Sequence, residues 1–311
     1  MRFPRYMYVL LAFGLTIYVF NPMWCVKRPI AGLPDHGTSS IPRILHQLGP
    51  ATLTPHQQAC QASAQKHNPG WTYTYWTDAE ADAIVQQRCP YVGAAYKTFS
   101  LIQKTDVARY CILLHHGGVY ADLDTEWYGP AEDLLQGSLS LAYSLPILPC
   151  GLPLMTNYVM ASVRGHPMWR QLMSEIQKRH EMRGWPWWAV NPSLRVPFLT
   201  GSRVLSYVAQ IYHVNVLQEP AVTDLFCHYT PVPAAAVVVH RGGTARYHDR
   251  GWSVFKRLVH SECQMRQILG LRGNIAQLPF VTIACVGAAL TAIVQQWWVH
   301  TRPAKARVPH S

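Results

Sequence analysis

Gly118-Val119-Tyr120-Ala121-Asp122-Leu123-Asp124 decides the reading of this 311-residue chain. A strand alternates its side chains between faces. Val119, Ala121 and Leu123 would turn one way into sheet packing, and Tyr120, Asp122 and Asp124 the other. Two carboxylates two residues apart at the end of an apolar strand repel each other, and need a cation or a shared proton. Hard oxygen ligands suit Mg²⁺ or Mn²⁺, ions that bridge to substrate phosphates. The carboxyl end of a parallel strand is also where open α/β sheets bind ligands. A solvated turn after a strand would carry the same D-x-D pattern, so the surrounding residues must decide.

Upstream, Thr98 to His116 reads as a helix with Leu101, Thr105, Ala108 and Ile112 on one face. Asp106 and Arg109 are three apart and so are neighbours on another face. Gly117-Gly118 stops the helix, because glycine accepts the left-handed cap conformation. Earlier still, Arg43 to Leu48 reads as a strand, Thr54 to His67 as a polar helix and Asn68-Pro69-Gly70 as a turn. Trp71 to Trp76 alternates aromatics with threonine, a strand signature. Thr77 or Asp78 caps a helix running to Arg88. This β-α-β-α order predicts an α/β fold with a largely parallel sheet. Downstream, Tyr158–Val163 and Ala235–His240 read as strands, and Pro167–His180 and Gly201–His213 as helices.

Hydrophobic residues make up 49% of the chain and charged residues 14%, the low-charge balance expected when part of it sits in lipid. Met7 to Phe20 is nearly all apolar and continues to Val26, with Arg2 and Arg5 before it and Lys27 and Arg28 after. No small-x-small cleavage site follows, so residues 1–26 read as an uncleaved signal anchor. Leu278 to Val294 is a second apolar run, ended by Trp297-Trp298 and followed by Arg302, Lys305 and Arg307. Residues 275–299 therefore read as a second transmembrane segment and 300–311 as a basic cytoplasmic tail. Arg2 and Arg5 put the N-terminus on the same side, which makes the intervening chain lumenal. Residues 27–40, rich in Pro, Gly and Ser, are the linker to a domain spanning 41–262.

The net charge of +11 comes from 27 Lys and Arg against 16 Asp and Glu, dispersed without a stripe. That excludes nucleic acid and favours phosphate-bearing ligands near a membrane. The eight cysteines include no CxxC pair, which argues against zinc. In an oxidising lumen Cys60 and Cys89 are candidates for a bridge, with free buried thiols the alternative. Trp185-Pro186-Trp187-Trp188 reads as an acceptor platform, a bilayer-facing loop or core packing.

The central block is similar to a known family. Tyr96-Lys97-Thr98-Phe99-Ser100, Gln103-Lys104-Thr105-Asp106-Val107-Ala108-Arg109-Tyr110 and His116 through Asp124 resemble the core signature of glycosyltransferase family 32. Ile41-Pro42-Arg43-Ile44-Leu45-His46-Gln47, Asn68-Pro69-Gly70-Trp71, Tyr75-Trp76-Thr77-Asp78 and Thr200-Gly201 fall in the family's order. Asn157 to Val163 followed by Gly165-His166-Pro167 looks like the fungal inositol phosphorylceramide mannosyltransferases in particular.

The resemblance implies a GT-A (Rossmann-like) domain, flanked here by terminal transmembrane helices. It implies a retaining transfer of a hexose, with Mn²⁺ (or Mg²⁺) as cofactor and GDP-mannose as the nucleotide-sugar donor. Retention without a second nucleophilic carboxylate suggests attack on the leaving-group face. The implied partners are a lipid acceptor such as inositol phosphorylceramide, or a glycan, together with the membrane and a regulatory membrane subunit. The implied location is the Golgi or another secretory-pathway membrane.

By motif, Asp122 would contact donor sugar or ribose and share the metal, and Asp124 would ligate the ion bridging the diphosphate. Asp106 and Arg109 would hold sugar hydroxyls and phosphate, with Tyr120 in the donor-binding set. His46, Gln47 and the Trp76-Thr77-Asp78 segment would line the nucleotide base. The family's late His-containing segment is altered, so His240 and His248 are both candidates for the third metal ligand.

Two rival classes remain. Asp122-Leu123-Asp124-Thr125 also matches the D-x-D-x-T of haloacid-dehalogenase-like phosphatases, but no later strand ends in the paired acidic motif they need. A non-catalytic sugar-binding membrane subunit would not need the whole set of Asp106, Arg109, Asp122 and Asp124.

Overall fold

Thr54 and Thr77 each start a helix in the same way. The threonine hydroxyl accepts the backbone N–H three residues on, and the Gln57 or Glu80 side chain at that position reaches back to the threonine N–H. These boxes open helices α1 (Pro55–His67) and α2 (Asp78–Arg88), which follow strands β1 (Ile44–Gly49) and β2 (Thr72–Thr77).

The structure is a computed structural model that describes residues 40–135, 137–144, 154–182, 192–212, 214–217, 221–224 and 232–241. These lie in a unit spanning Met1–Arg257; the second unit, Leu258–Ser311, falls outside them. Also outside are the N-terminal anchor, residues 27–39, the Trp185-Pro186-Trp187-Trp188 cluster, His248, and Cys25, Cys150, Cys227, Cys263 and Cys285. Among the described residues no helix is long and apolar enough to cross a membrane.

After α2 come a short helix α3 (Ala95–Thr98), the long helix α4 (Leu101–His116), and strands β3 (Gly118–Ala121) and β4 (Thr125–Trp127). Strands β5 (Leu139–Ser144) and β6 (Leu154–Ser162) follow, then helices α5 (Pro167–Glu181), α6 (Pro192–Leu199) and α7 (Ser202–Ala209). Short strands β7 (Asn215–Leu217), β8 (Val222–Asp224) and β9 (Val238–His240) complete the order.

Six strands form one sheet in the order β2-β1-β3-β6-β5-β7. The first three are parallel, as the β-α-β-α reading predicts, but β6 pairs antiparallel with both β3 and β5. The fold is therefore α/β with a mixed sheet, which corrects the largely parallel expectation. The reason is local: β6 is the next strand after β5 and pairs with it antiparallel, as strands close in sequence can. A second sheet, β4-β9-β8, starts directly after the D-x-D turn.

Each face of the large sheet carries its own core. Tyr120, Leu141 and Met160 pack with α2, α4, α5 and α7, while Val119, Ala121, Val159 and Ala161 pack with Ala64 of α1, Trp127 and Val238. That alternation along β3 is the one expected of a strand. Helix α4 is buried on every side from Asp106 to Leu114. Its first residue, Leu101, stands 53% exposed, so the apolar face assigned to it ends short of the first turn.

The Gly117-Gly118 stop is required by geometry. Both glycines have positive φ, and a Cβ on Gly118 would lie 2.4 Å from the Ile44 carbonyl oxygen. This tight passage lets β3 lie directly against β1.

The disulfide joins Cys89, at the end of α2, to Cys111 in α4. The expected partner Cys60 is instead a free, buried thiol on α1. Ala64 of α1 and Cys89 of α2 belong to the cores on opposite faces of the sheet, which keeps Cys60 from Cys89.

Candidate active site

Strand β3 stops at Ala121, before the acidic pair. Asp122-Leu123-Asp124-Thr125 is a turn, closed by the Thr125 N–H to the Asp122 carbonyl at 3.0 Å and by the Thr125 hydroxyl to the same oxygen at 2.6 Å. This corrects the reading in which Leu123 continued the strand with Asp122 and Asp124 on one face. A turn brings two carboxylates together without burying both in a pleated face.

The backbone of Asp122 is pinned from both sides. Its N–H donates to the Tyr158 carbonyl at 2.8 Å, and its carbonyl also accepts the Gln47 side-chain amide at 3.2 Å. Its carboxylate Oδ1 accepts from Arg109 Nη1 at 2.8 Å and from the Tyr120 hydroxyl at 2.9 Å. Burial pushes the Asp122 carboxyl above the usual range, opposed by the Arg109 charge and reinforced by Asp124. The side chain keeps 24% exposure, against 10% for Asp124.

His240 reaches the pair because β4 and β9 are antiparallel and Thr125 faces His240 across the ladder. Its Nε2 lies 3.2 Å from Asp124 Oδ1, and the Arg241 N–H donates to the Asp124 carbonyl at 3.0 Å. Arg241 braces the same ladder through Glu126 at 2.9 Å and the Tyr128 hydroxyl at 2.8 Å. Asp122, Asp124 and His240 each offer one ligand atom, all within 4.8 Å of one another. Two carboxylates with one imidazole form a mixed oxygen–nitrogen set, which suits Mn²⁺ better than the all-oxygen preference of Mg²⁺. Of the two candidate histidines, His240 is the one the structure brings to the pair; His248 lies outside the described residues.

Asp106 and Arg109 sit one layer beneath. Arg109 is 2% exposed and its guanidinium is committed to Asp122, the Asn157 carbonyl (2.8 Å), the Thr105 carbonyl (3.3 Å) and Asp106 (3.6 Å). Asp106 is 3% exposed and accepts from the Asn157 amide at 2.8 Å and the Thr200 hydroxyl at 2.9 Å. Burial raises its pKa to about 6 against the pull of Arg109 and Thr200. The sequence reading gave these two residues to the donor's hydroxyls and phosphate. In the structure Arg109 holds Asp122, and Asp106 holds Arg109.

Of the predicted base-lining residues, His46 and Gln47 are buried, while Trp76, Thr77 and Asp78 are half-buried. His46 is 1% exposed, with Nε2 3.0 Å from the Gly117 carbonyl and Nδ1 accepting the Trp76 indole N–H at 3.2 Å. A carbonyl only accepts, so the proton sits on Nε2 and the ring is neutral. Burial lowers its pKa to about 4. Trp76 packs between His46 and His116, and Thr77 caps α2. Gln47 links Tyr73 to the D-x-D turn, accepting from its hydroxyl at 2.7 Å. Asn157 and Tyr158 were quoted in the sequence only as part of a motif, and Thr200 only beside Gly201. The structure shows their contacts with Asp106, Arg109, Asp122 and His240.

Residues 54–140 match the family described as the glycosyltransferase sugar-binding region containing a DXD motif. The chain therefore carries such a region, and the resemblance read from the motifs holds. It is 29% identical over 175 residues to mannosyl phosphorylinositol ceramide synthase CSH1 of Saccharomyces cerevisiae, covering 55% of this chain and 43% of that one. It is 27% identical over 190 residues to inositol phosphoceramide mannosyltransferase 2 of Schizosaccharomyces pombe, covering 60% and 52%. The chain thus spans about half the length of the relatives it matches. Among solved structures, the PaToxG glycosyltransferase is 13% identical, covering 64% of this chain and 76% of its own, with a TM-score of 0.44.

Proposed function

We propose that this chain is a membrane-anchored, metal-dependent glycosyltransferase of GT-A type. It moves mannose from GDP-mannose, with retention, to a lipid acceptor of the inositol phosphorylceramide class in a secretory-pathway membrane such as the Golgi. The observation that carries the proposal is the convergence of Asp122, Asp124 and His240 at the end of β3, inside the region matched to DXD-containing sugar-binding domains. The relatives named as inositol phosphoceramide mannosyltransferases support the donor and acceptor. The Cys89–Cys111 disulfide supports a lumenal catalytic domain, because such bonds persist in oxidising compartments.

In this reading Asp122, Asp124 and His240 hold the ion, which when bound would neutralise charge on the departing diphosphate. The chain's own residues do the positioning. Arg109 and Tyr120 fix the Asp122 carboxylate through Oδ1. Gln47 and Thr125 fix its carbonyl. Asp106 and the Asn157 carbonyl hold Arg109 in turn, and the Asn157 amide and Thr200 hydroxyl hold Asp106. The acceptor hydroxyl attacks the anomeric carbon on the leaving-group face, and its proton passes to the departing phosphate oxygen.

A donor screen with the purified full-length chain and Mn²⁺, reading nucleotide release, tests the proposal. Release from GDP-mannose is expected; release confined to UDP-sugars would overturn the mannosyl reading. Phosphatase turnover without a sugar donor would favour the dehalogenase-like alternative instead.

A further inference from the structure

Tyr158 touches both halves of the candidate metal centre from a strand in the main sheet. Its carbonyl accepts the Asp122 N–H at 2.8 Å. Its ring lies on the His240 imidazole, with centroids 4.5 Å apart and planes 11° apart. The next residue, Val159, pairs with Ala121 in the β3–β6 ladder, so this part of β6 is fixed relative to the end of β3.

The ligands themselves sit on short or irregular backbone. Asp122 and Asp124 lie in a turn, and His240 is the last residue of a three-residue strand. The β4–β9 ladder sets where the His240 backbone sits along Thr125. It does not set the rotation of the imidazole about its Cβ–Cγ bond, a broad torsion with weak intrinsic preference. A metal needs a nitrogen lone pair aimed at it, so that rotation decides affinity. A flat aromatic surface stacked on the imidazole restricts that rotation, beside the Asp124 contact at 3.2 Å.

We propose that Tyr158 is a further positioning residue of this centre: its ring sets the plane of His240 while its carbonyl holds the Asp122 N–H, so that one residue of β6 touches both sides of the site. The proposal rests on the metal reading above. Tyr158 itself touches neither ion nor substrate. The ring face, not the hydroxyl, carries the effect, so phenylalanine should replace it.

Two measurements on the full chain test this. In metal-free protein with labelled histidine rings, the His240 signals, assigned by their loss in His240→Gln, should show the upfield ring-current shift of a stacked pair. Tyr158→Phe should keep that shift and Tyr158→Ala should lose it. With Mn²⁺ titrated and free ion read by electron paramagnetic resonance, Tyr158→Ala should raise the dissociation constant by about 10- to 100-fold, the range for loss of a ligand-orienting contact. Tyr158→Phe should bind as wild type. So should Met160→Ala, a buried change two residues along β6 that faces the other core.

Wild-type affinity in Tyr158→Ala would overturn the proposal. So would equal weakening in Tyr158→Phe, which would move the effect to the hydroxyl, or in Met160→Ala, which would reduce it to general loosening of β6. A wild-type chain that binds no Mn²⁺ fails the metal reading and the proposal with it. The ring-current arm needs no ion, so that outcome remains distinct from a failure of the stack.

Discussion

Replacing Arg109 with methionine keeps an unbranched chain of similar reach and removes the guanidinium. Four partners lose their donor or counter-charge: Asp122 at 2.8 Å, the Asn157 carbonyl at 2.8 Å, the Thr105 carbonyl at 3.3 Å and Asp106 at 3.6 Å. Burial raises the pKa of Asp106 and Asp122, and Arg109 is the main force opposing that rise in both. Removing one member of a buried ion pair costs about 3–5 kcal/mol, because the remaining charge is left uncompensated. The loss expected for Arg109→Met is in that range.

The loss should depend on pH in a definite direction. Without Arg109 both carboxyls protonate more readily in the folded state, and a protonated carboxyl no longer needs a cation. The deficit should be largest above about pH 7 and shrink as pH falls through 6, where Asp106 already titrates in the wild type. Adding Asp106→Asn should recover part of the loss, since the two residues share a contact and their effects are not additive. Urea unfolding of the three variants at about pH 5 and about pH 8, followed by tryptophan fluorescence, reads all of this. A loss below about 1 kcal/mol with a large rise in KM for the donor would refute the reasoning and return Arg109 to ligand contact.

His46 is held neutral with a pKa of about 4 instead of 6.5. The unfolded ring gains its proton as pH falls below 6.5 and the folded ring does not, so this contribution is fully present above 6.5 and is lost toward pH 4, about 3 kcal/mol in all. Asp106 acts oppositely, destabilising as pH rises from 3.8 to about 6, so the difference between wild type and His46→Gln isolates the histidine. A stability–pH slope unchanged by His46→Gln would contradict the buried, neutral assignment. Replacing both Cys89 and Cys111 with alanine opens a loop with a sequence separation of 22 and should cost about 3 kcal/mol in denaturant unfolding. No change on substitution, or free thiols at both positions in the native protein, would show that the bridge does not form.

Local signals carried much of the fold. The Thr54 and Thr77 caps, the Gly117-Gly118 stop and the alternation of Val119, Tyr120 and Ala121 were all readable, because each depends on residues a few positions apart. The direction of β6 was not, since Tyr158–Val163 reads as a strand whether it runs parallel or antiparallel to β3. The site divided in the same way. Asp122, Asp124 and their proximity to Asp106 and Arg109 follow from one contiguous block. The burial of Asp106, Arg109, His46 and Gln47 was not legible, because burial is a property of the packed whole. The sequence left His240 beside His248 as candidate ligands; the β4–β9 pairing, across more than a hundred positions, is what brings His240 to the pair. Tyr158 was visible only within a quoted motif, because stacking on a distant imidazole leaves no spacing signature.

The most direct test of the account is transfer of labelled mannose from GDP-mannose to inositol phosphorylceramide by the full-length chain, with Mn²⁺ titrated against a chelator. The account predicts transfer that follows Mn²⁺ occupancy, disappears in Asp124→Asn and falls sharply in His240→Ala. Both variants should unfold close to the wild type. Transfer that persists in chelator, or that survives Asp124→Asn, would contradict the claim that Asp122, Asp124 and His240 form the metal centre of a glycosyltransferase.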